Sequence, residues 1–256
     1  MARGVMPVHG GNRVPPSLGK AEYVRGLFDE IAYEYDRLNQ VISMGQWHRW
    51  HKVFLGHTRF SPGDQILDLA CGTGDLSLLS AASVYPGGRV VGIDFSERML
   101  EVGRMRVARS PYGEVVDLML GDAMELALPD NSFDGITMGW AMRNVASIPQ
   151  TLAEAYRVLK PGGRFICMDA AKPYNAFWRT WFIFYWKSFL PAIDRFFIRE
   201  QHRRGSGPYT YLSQSLDHYP MPHELEQIFR QAGFGKTQCH LLNLGTVAIH
   251  IGTKGR

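Results

Sequence analysis

Ten residues, Ile66 to Asp75, read ILDLACGTGD and leave this chain few folds to choose from. Ile66, Leu67 and Leu69 suit a strand covered on both faces. A glycine-rich turn follows at once. Gly72 and Gly74 admit backbone conformations closed to other residues and let a ligand come up against the main chain, and either Asp75 or Ser77 can cap a helix over Leu76 to Val84. Twenty residues beyond Gly74, Asp94 ends the apolar run Val90-Val91-Gly92-Ile93. A second parallel strand there would set its carboxylate against a ribose diol.

A dinucleotide fold wants G-x-G-x-x-G, and here the position after Gly72 and Gly74 is Ser77. A diphosphate also wants a helix N-terminus free of negative charge. Asp75 stands at that end, with Asp68 just before the turn, so the site suits an ammonium or a sulfonium better than a phosphate. The ligand inferred is S-adenosylmethionine.

The 256 residues can bury one good core with a small appendage, and 45% hydrophobic with 20% charged residues is the composition of a soluble globular chain. No run approaches the roughly 18 uninterrupted apolar residues of a membrane span. Cys71, Cys167 and Cys239 are odd in number and lack C-x-x-C spacing, which argues against a disulfide framework or a zinc knuckle. With no apolar signal segment, a cytoplasmic location is expected. The net charge of +4 is mild, and the one dense basic run, Arg199 to Arg204, is broken by Glu200. No nucleic-acid partner is expected, while weak attraction to anionic lipid fits. A homodimer is allowed but not indicated.

Along the chain, 1–21 reads as a tail without periodicity. A helical cap over 22–60 follows, with one helix from Val24 closing at Tyr35-Asp36 and a second over Trp47 to Leu55, expected to cover the cofactor crevice. Strands then fall at Val90 to Asp94, Val115 to Leu120, Gly135 to Met138 and Arg164 to Asp169, alternating with helices. That order implies a Rossmann-like α/β fold, a mostly parallel sheet of seven strands closed by an antiparallel hairpin over Thr237 to Leu242 and Gly245 to Gly252. Gly72, Asp94, Asp122, Gly139, Arg143 and Asp169 all lie at or just after strand ends, where such sheets bind ligands. The main domain is 61–173 with 206–256. Between its parts, 174–205 carries eleven aromatics from Tyr174 to Phe197, so many that the segment is expected to be a lid and membrane-facing surface. The alternative is a helical pair buried on the sheet.

From Val24 to Lys254 the sequence resembles the C-methyltransferases of menaquinone and ubiquinone biosynthesis, class I S-adenosylmethionine-dependent enzymes. The likeness rests on Phe28-Asp29 with Tyr35-Asp36, LDLACGTGD, FSERML after Asp94, LPDNSFD, MRNV at Met142 to Val145, YRVLKPGG and QAGF. MRNV together with the N-terminal pair is the specific part. The resemblance implies cofactor contacts from Thr73, Asp94, Asp122 and Ala123, with Gly139 where the family usually has a small polar residue. It also implies a reduced polyprenyl quinone as acceptor, collected at the inner face of a membrane. Trp140-Ala141-Met142 and Asp169 depart from the family pattern on the acceptor side.

Ring methylation needs a nucleophilic carbon beside an ionising hydroxyl. Arg143 is the candidate to lower that hydroxyl's pKa and to orient a water that takes the proton, with Asn144 orienting the water or the hydroxyl. A salt bridge at a strand end is the alternative for Arg143. Tyr35 is placed beside the sulfonium or, equally, in the core. His48 and His51, three apart on a helix, lack further ligands, so no metal is expected. The rival function is an N- or O-methyltransferase for a soluble or other lipid-like substrate.

Overall fold

The computed structural model describes residues 19–197 and 208–256. Most of the 1–21 tail and the run Arg199 to Arg204 lie outside the described residues. Lys20, assigned to the tail, already begins α1 (Lys20–Ile31), and its Nζ donates to the carbonyl of Val145 at 2.7 Å. The cap contains three helices rather than two, with α2 (Tyr35–Ile42) and α3 (Trp47–Thr58) after a turn through Met44 and Gly45, both at positive φ. The sequence YDRLNQVI hides α2 because eight residues make little more than two turns, too short a stretch for its helical spacing to stand out. It is held by burial of Leu38 and Asn39.

Strands β1 (Gln65–Leu69), β2 (Arg89–Asp94), β3 (Val116–Leu120), β4 (Phe133–Gly139), β5 (Leu159–Ala170), β6 (Lys236–Leu242) and β7 (Val247–Thr253) form one sheet in the order β3-β2-β1-β4-β5-β7-β6. The first five are mutually parallel, and β7 lies antiparallel between β5 and β6. Both faces are covered, as the apolar strands require. Leu67, Leu69, Ile136, Met138, Phe165 and Cys167 pack toward α6 (Ile148–Val158) and α9 (Pro222–Gln231). On the other face Ile66 meets Ala81 and Val84 of α4 (Asp75–Val84), and Ile166 and Met168 meet Phe54 of α3. Neither Asp75 nor Ser77 caps α4. Gly74, at φ 82°, is its N-cap, and both side chains have other partners. Ser96 does cap α5 (Glu97–Val107), its hydroxyl accepting from Met99 N at 3.1 Å.

The aromatic stretch forms one 22-residue helix, α7 (Ala176–Phe197), packed on α8 (Pro208–Ser215). Among the described residues, no helix is long and apolar enough to cross a membrane.

Candidate active site

Strand order reverses between β1 and β4, which places a crevice at their carboxyl ends. Both strands leave the sheet through non-glycine residues in left-handed conformation, Ala70 at φ 52° and Trp140 at φ 61°. Strain of this kind persists only where the surroundings enforce it, and it clusters at functional sites. Here it turns both chain segments around one space.

That space is divided. A crevice of about 80 Å³ is lined by Gly72, Asp94, Asp122, Ala123, Gly139 and Asn144, among others. An adjoining cleft of about 30 Å³ is bordered by Asp68, Thr73 and Asp75. On the other side lies a larger apolar chamber of about 460 Å³, lined by Arg143, Asn39 and the aromatic face of α7. Tyr35 and Trp140 border all three.

Asp94 is buried at the end of β2, where its Oδ2 accepts from Gly72 N at 2.8 Å and its Oδ1 from Ser96 N at 2.9 Å. Burial pushes its pKa up to about 6 against the pull of those donors. Asp68 points beneath α4, accepting from Ser77 Oγ at 2.6 Å and Thr137 Oγ1 at 2.8 Å, and burial raises it to about 7. Burial would raise Asp75 as well. The ion pair with Arg106 and a 2.8 Å hydrogen bond from Trp47 Nε1 outweigh it and hold the carboxyl below its ordinary value. The crevice therefore carries less free negative charge than Asp68 and Asp75 suggest when counted from the sequence.

The Phe28-Asp29 and Tyr35-Asp36 pairs have a mechanical role invisible in the sequence. Asp29 accepts from Ser96 Oγ at 2.5 Å. Asp36 accepts from Thr73 Oγ1 at 2.7 Å and from Arg106 Nη1 at 2.8 Å. Two carboxylates thus fasten the helical cap to the loops after β1 and β2. They also occupy the Thr73 hydroxyl, which was expected at the cofactor.

In the larger chamber Arg143 makes the strand-end salt bridge that the sequence offered as the alternative to a catalytic role. The guanidinium is buried in an ion pair with Asp169, and its Nη1 also donates to the carbonyl of Trp140 at 2.8 Å. Asp169 further accepts from Arg143 N at 3.0 Å, so the salt bridge sets the arginine against the chamber wall. Asn144 donates to Trp140 O at 3.4 Å, and its buried Oδ1 has no partner. Tyr35, raised to about 12 by burial, keeps its proton near neutrality. Trp140 stacks on Trp47 with ring centres 5.1 Å apart. Beside them His51 is buried and lowered to about 4, a neutral imidazole receiving Trp140 Nε1 at 3.4 Å. Among the described residues no cluster of side chains could hold a metal ion.

Helix α7 divides its aromatics between two faces. Trp178, Trp181, Phe182, Tyr185 and Trp186 line the chamber. Trp186 is core, with Nε1 donating to Leu212 O at 3.2 Å. Phe177, Trp181 and Phe184 are 61%, 57% and 63% exposed and touch edge to face as one outward ridge. Lys187 pairs with Asp217 at 2.9 Å, so it is not a free charge for a lipid headgroup.

The crevice fits an adenosyl ligand on its own chemistry. It offers a carboxylate at a strand end and apolar Ile93, Phe95 and Met99 to flank a base. Sequence reasoning located these strand-end residues but missed Trp140, Arg106 and Asn39. The first showed only as a departure from a family pattern, and the other two gave no signal outside three dimensions.

The sequence profile of the ubiE/COQ5 methyltransferase family matches residues 17–254. A demethylmenaquinone methyltransferase of Symbiobacterium thermophilum is 61% identical over 246 residues, covering 96% of this chain and 98% of that one. One from Listeria monocytogenes (serotype 4a) is 38% identical over 235 residues, covering 92% and 97%. The crystal structure of a SAM dependent methyltransferase from Aquifex aeolicus superposes with a TM-score of 0.56 at 18% identity, over 79% of this chain and 88% of that one. At that identity the likeness concerns the fold.

Proposed function

This chain belongs to the ubiE/COQ5 methyltransferase family and is an S-adenosylmethionine-dependent methyltransferase; from that premise we propose that it methylates a ring carbon of a reduced naphthoquinone carrying a polyprenyl tail. One observation carries the proposal: a buried guanidinium sits in an apolar, aromatic-lined chamber that shares a wall with the adenosyl crevice. Such a chamber accepts a flat ring and an isoprenoid chain, and it offers one strong charge to an oxygen.

The cofactor supplies a methyl group on a sulfonium centre. The protein's residues do the rest. Asp94 accepts the ribose hydroxyls, and Asp75, held ionised by Arg106, is the carboxylate that borders the adjoining cleft. The walls at Tyr35 and Trp140 set the two reactants in line, an effect worth up to about 7–11 kcal/mol. Arg143, fixed by Asp169, stabilises the hydroxyl as it ionises, and the free Oδ1 of Asn144 holds the hydroxyl or the water that carries its proton away.

The outward ridge of α7 and the exposed Met44 and Leu244 at the chamber's edge suit peripheral contact with a bilayer, from which a tailed quinol would be collected. The activity test is incubation with a chemically reduced short-chain demethylnaphthoquinone and methyl-labelled cofactor. Label on the ring carbon is expected. Label on a quinol oxygen, or none, would overturn the proposal and favour the rival class.

A further inference from the structure

Four residues that line the larger chamber are themselves exposed and so mark its mouth: Met44, Leu244, and Trp178 and Trp181 of α7. The inner end holds the buried Arg143, with Tyr35 and Trp140 on the wall shared with the adenosyl crevice. Two of the four stand where a bulky apolar residue is least at home. Met44, at φ 50° and 68% exposed, lies in the turn from α2 into α3, and Leu244, at φ 57° and 66% exposed, lies in the turn from β6 into β7. Each is followed by a glycine. A left-handed position in an exposed turn ordinarily takes Gly or Asn, and strain of this kind persists where function holds it. Charge is sorted along the same boundary. The three segments from which the mouth is built, 37–63, 170–193 and 231–256, contain no Asp or Glu, although the chain has 24 acidic residues. Arg49 and Lys52, exposed on the first turns of α3, make no ion pair among the described residues. An apolar opening with an acid-free rim suits an anionic bilayer.

We infer that the Met44 and Leu244 turns frame a port through which the acceptor's tail runs out of the chamber into an anionic bilayer, with Arg49 and Lys52 seated among the headgroups. This rests on the naphthoquinol reading above and adds to it the path of the tail. The chamber, at about 460 Å³, is of the size that encloses a drug-sized ligand. It has room for a two-ring nucleus and the first isoprene units, and none for a long tail. The ring is held inside at Arg143, and the remainder of the chain stays in the lipid. The acceptor is thus methylated without leaving the membrane, and isoprene units beyond the mouth add nothing to recognition.

The test compares two chemically reduced demethylnaphthoquinones, one with a single isoprene unit in solution and one with a long tail embedded in phosphatidylglycerol vesicles. The variant is Met44→Asn with Leu244→Asn, which removes both apolar tips and puts at each turn a residue that accepts left-handed geometry. It should lower kcat/KM for the embedded quinol roughly tenfold or more beyond any fall with the soluble one, chiefly through KM. Thermal unfolding and cofactor affinity should stay near wild type. Met44→Leu with Leu244→Met should keep the wild-type ratio, since the port asks only for apolar tips. In flotation, Arg49→Glu with Lys52→Glu should weaken binding to phosphatidylglycerol vesicles about tenfold at low salt and leave binding to phosphatidylcholine vesicles unchanged. Unchanged anionic binding in that pair overturns the headgroup contact. An equal fall with both quinols, or none with the embedded one, overturns the port. If the asparagine pair does not fold, Leu244→Asn alone is read in the same way. If the wild type methylates neither quinol, the naphthoquinol reading fails by itself. The port is then judged on flotation: weaker binding of the asparagine variant to the vesicles supports it, and unchanged binding overturns it.

Discussion

At the scale of single residues, charge state decides what the site can hold. Asp94 is raised to about 6 by burial, whereas a ribose diol needs an ionised acceptor. Binding should therefore tighten as the pH rises from 5 to 7 and should release protons in that window. Titration calorimetry in buffers of different ionisation enthalpy measures both, and a pH-independent affinity would remove Asp94 from the ribose contact. Asp68 bears on folding instead. Its folded pKa of about 7 lies above the ordinary carboxylate value, so between about pH 4 and 7 the native protein holds a proton that the unfolded chain has released. Stability from this group is thus lost as the pH rises through that range, and Asp68→Asn should flatten the slope in urea titrations. An identical slope in mutant and parent would contradict it. Arg143→Lys keeps a positive charge against Asp169 but loses the planar fork, so turnover should fall by on the order of 100-fold at near-normal cofactor affinity. Equal turnover would remove Arg143 from the chemistry. Asp94 was legible from the sequence because it ends an apolar run, and Arg143 stood out only through the MRNV motif. What they touch was not: Arg106, thirty-one residues from Asp75 along the chain, gives no sign of being its partner.

At the scale of elements, the five parallel strands and the closing hairpin were readable because burial on both faces forces continuous apolar runs, and the turns carry glycine and proline. Helix α2 was not, since its amphipathic pattern runs over only eight residues, little more than two turns. Helix α7 was visible as an aromatic excess, but the division of its faces was not. Composition cannot tell Trp186, tied to Leu212 in the core, from Trp181, which stands 57% exposed. The two should behave oppositely. Trp186→Ala should cost about 3–5 kcal/mol of stability, the usual effect of emptying a buried aromatic site. Replacing Phe177, Trp181 and Phe184 together by serine should leave unfolding nearly unchanged while abolishing flotation with anionic liposomes. A wild type that stays in the soluble fraction at every salt concentration would refute the membrane contact.

At the scale of the whole molecule, the helical cap is shared property. Phe28 and Tyr35 wall both the adenosyl crevice and the acceptor chamber, and Asp29 and Asp36 latch the helices that carry them to loops of the sheet domain. The adenosyl crevice lies against this latched cap. Exchange of the cofactor and of its demethylated by-product is expected to go with release of the latch. The latch would then work as a turnstile, and the expected limit on traffic is departure rather than methyl transfer. A first turnover should appear as a burst, followed by a slower steady rate equal to the off-rate of S-adenosylhomocysteine. Asp29→Ala should raise that off-rate in stopped-flow displacement and shrink the burst, with the methyl-transfer rate itself little changed. Burial and the neighbouring Asp75 raise the pKa of Asp36, so protonation should loosen the second latch and quicken exchange as the pH falls. If the acceptor comes from a bilayer as proposed, this device would keep the dissolved partner in place until the other arrives.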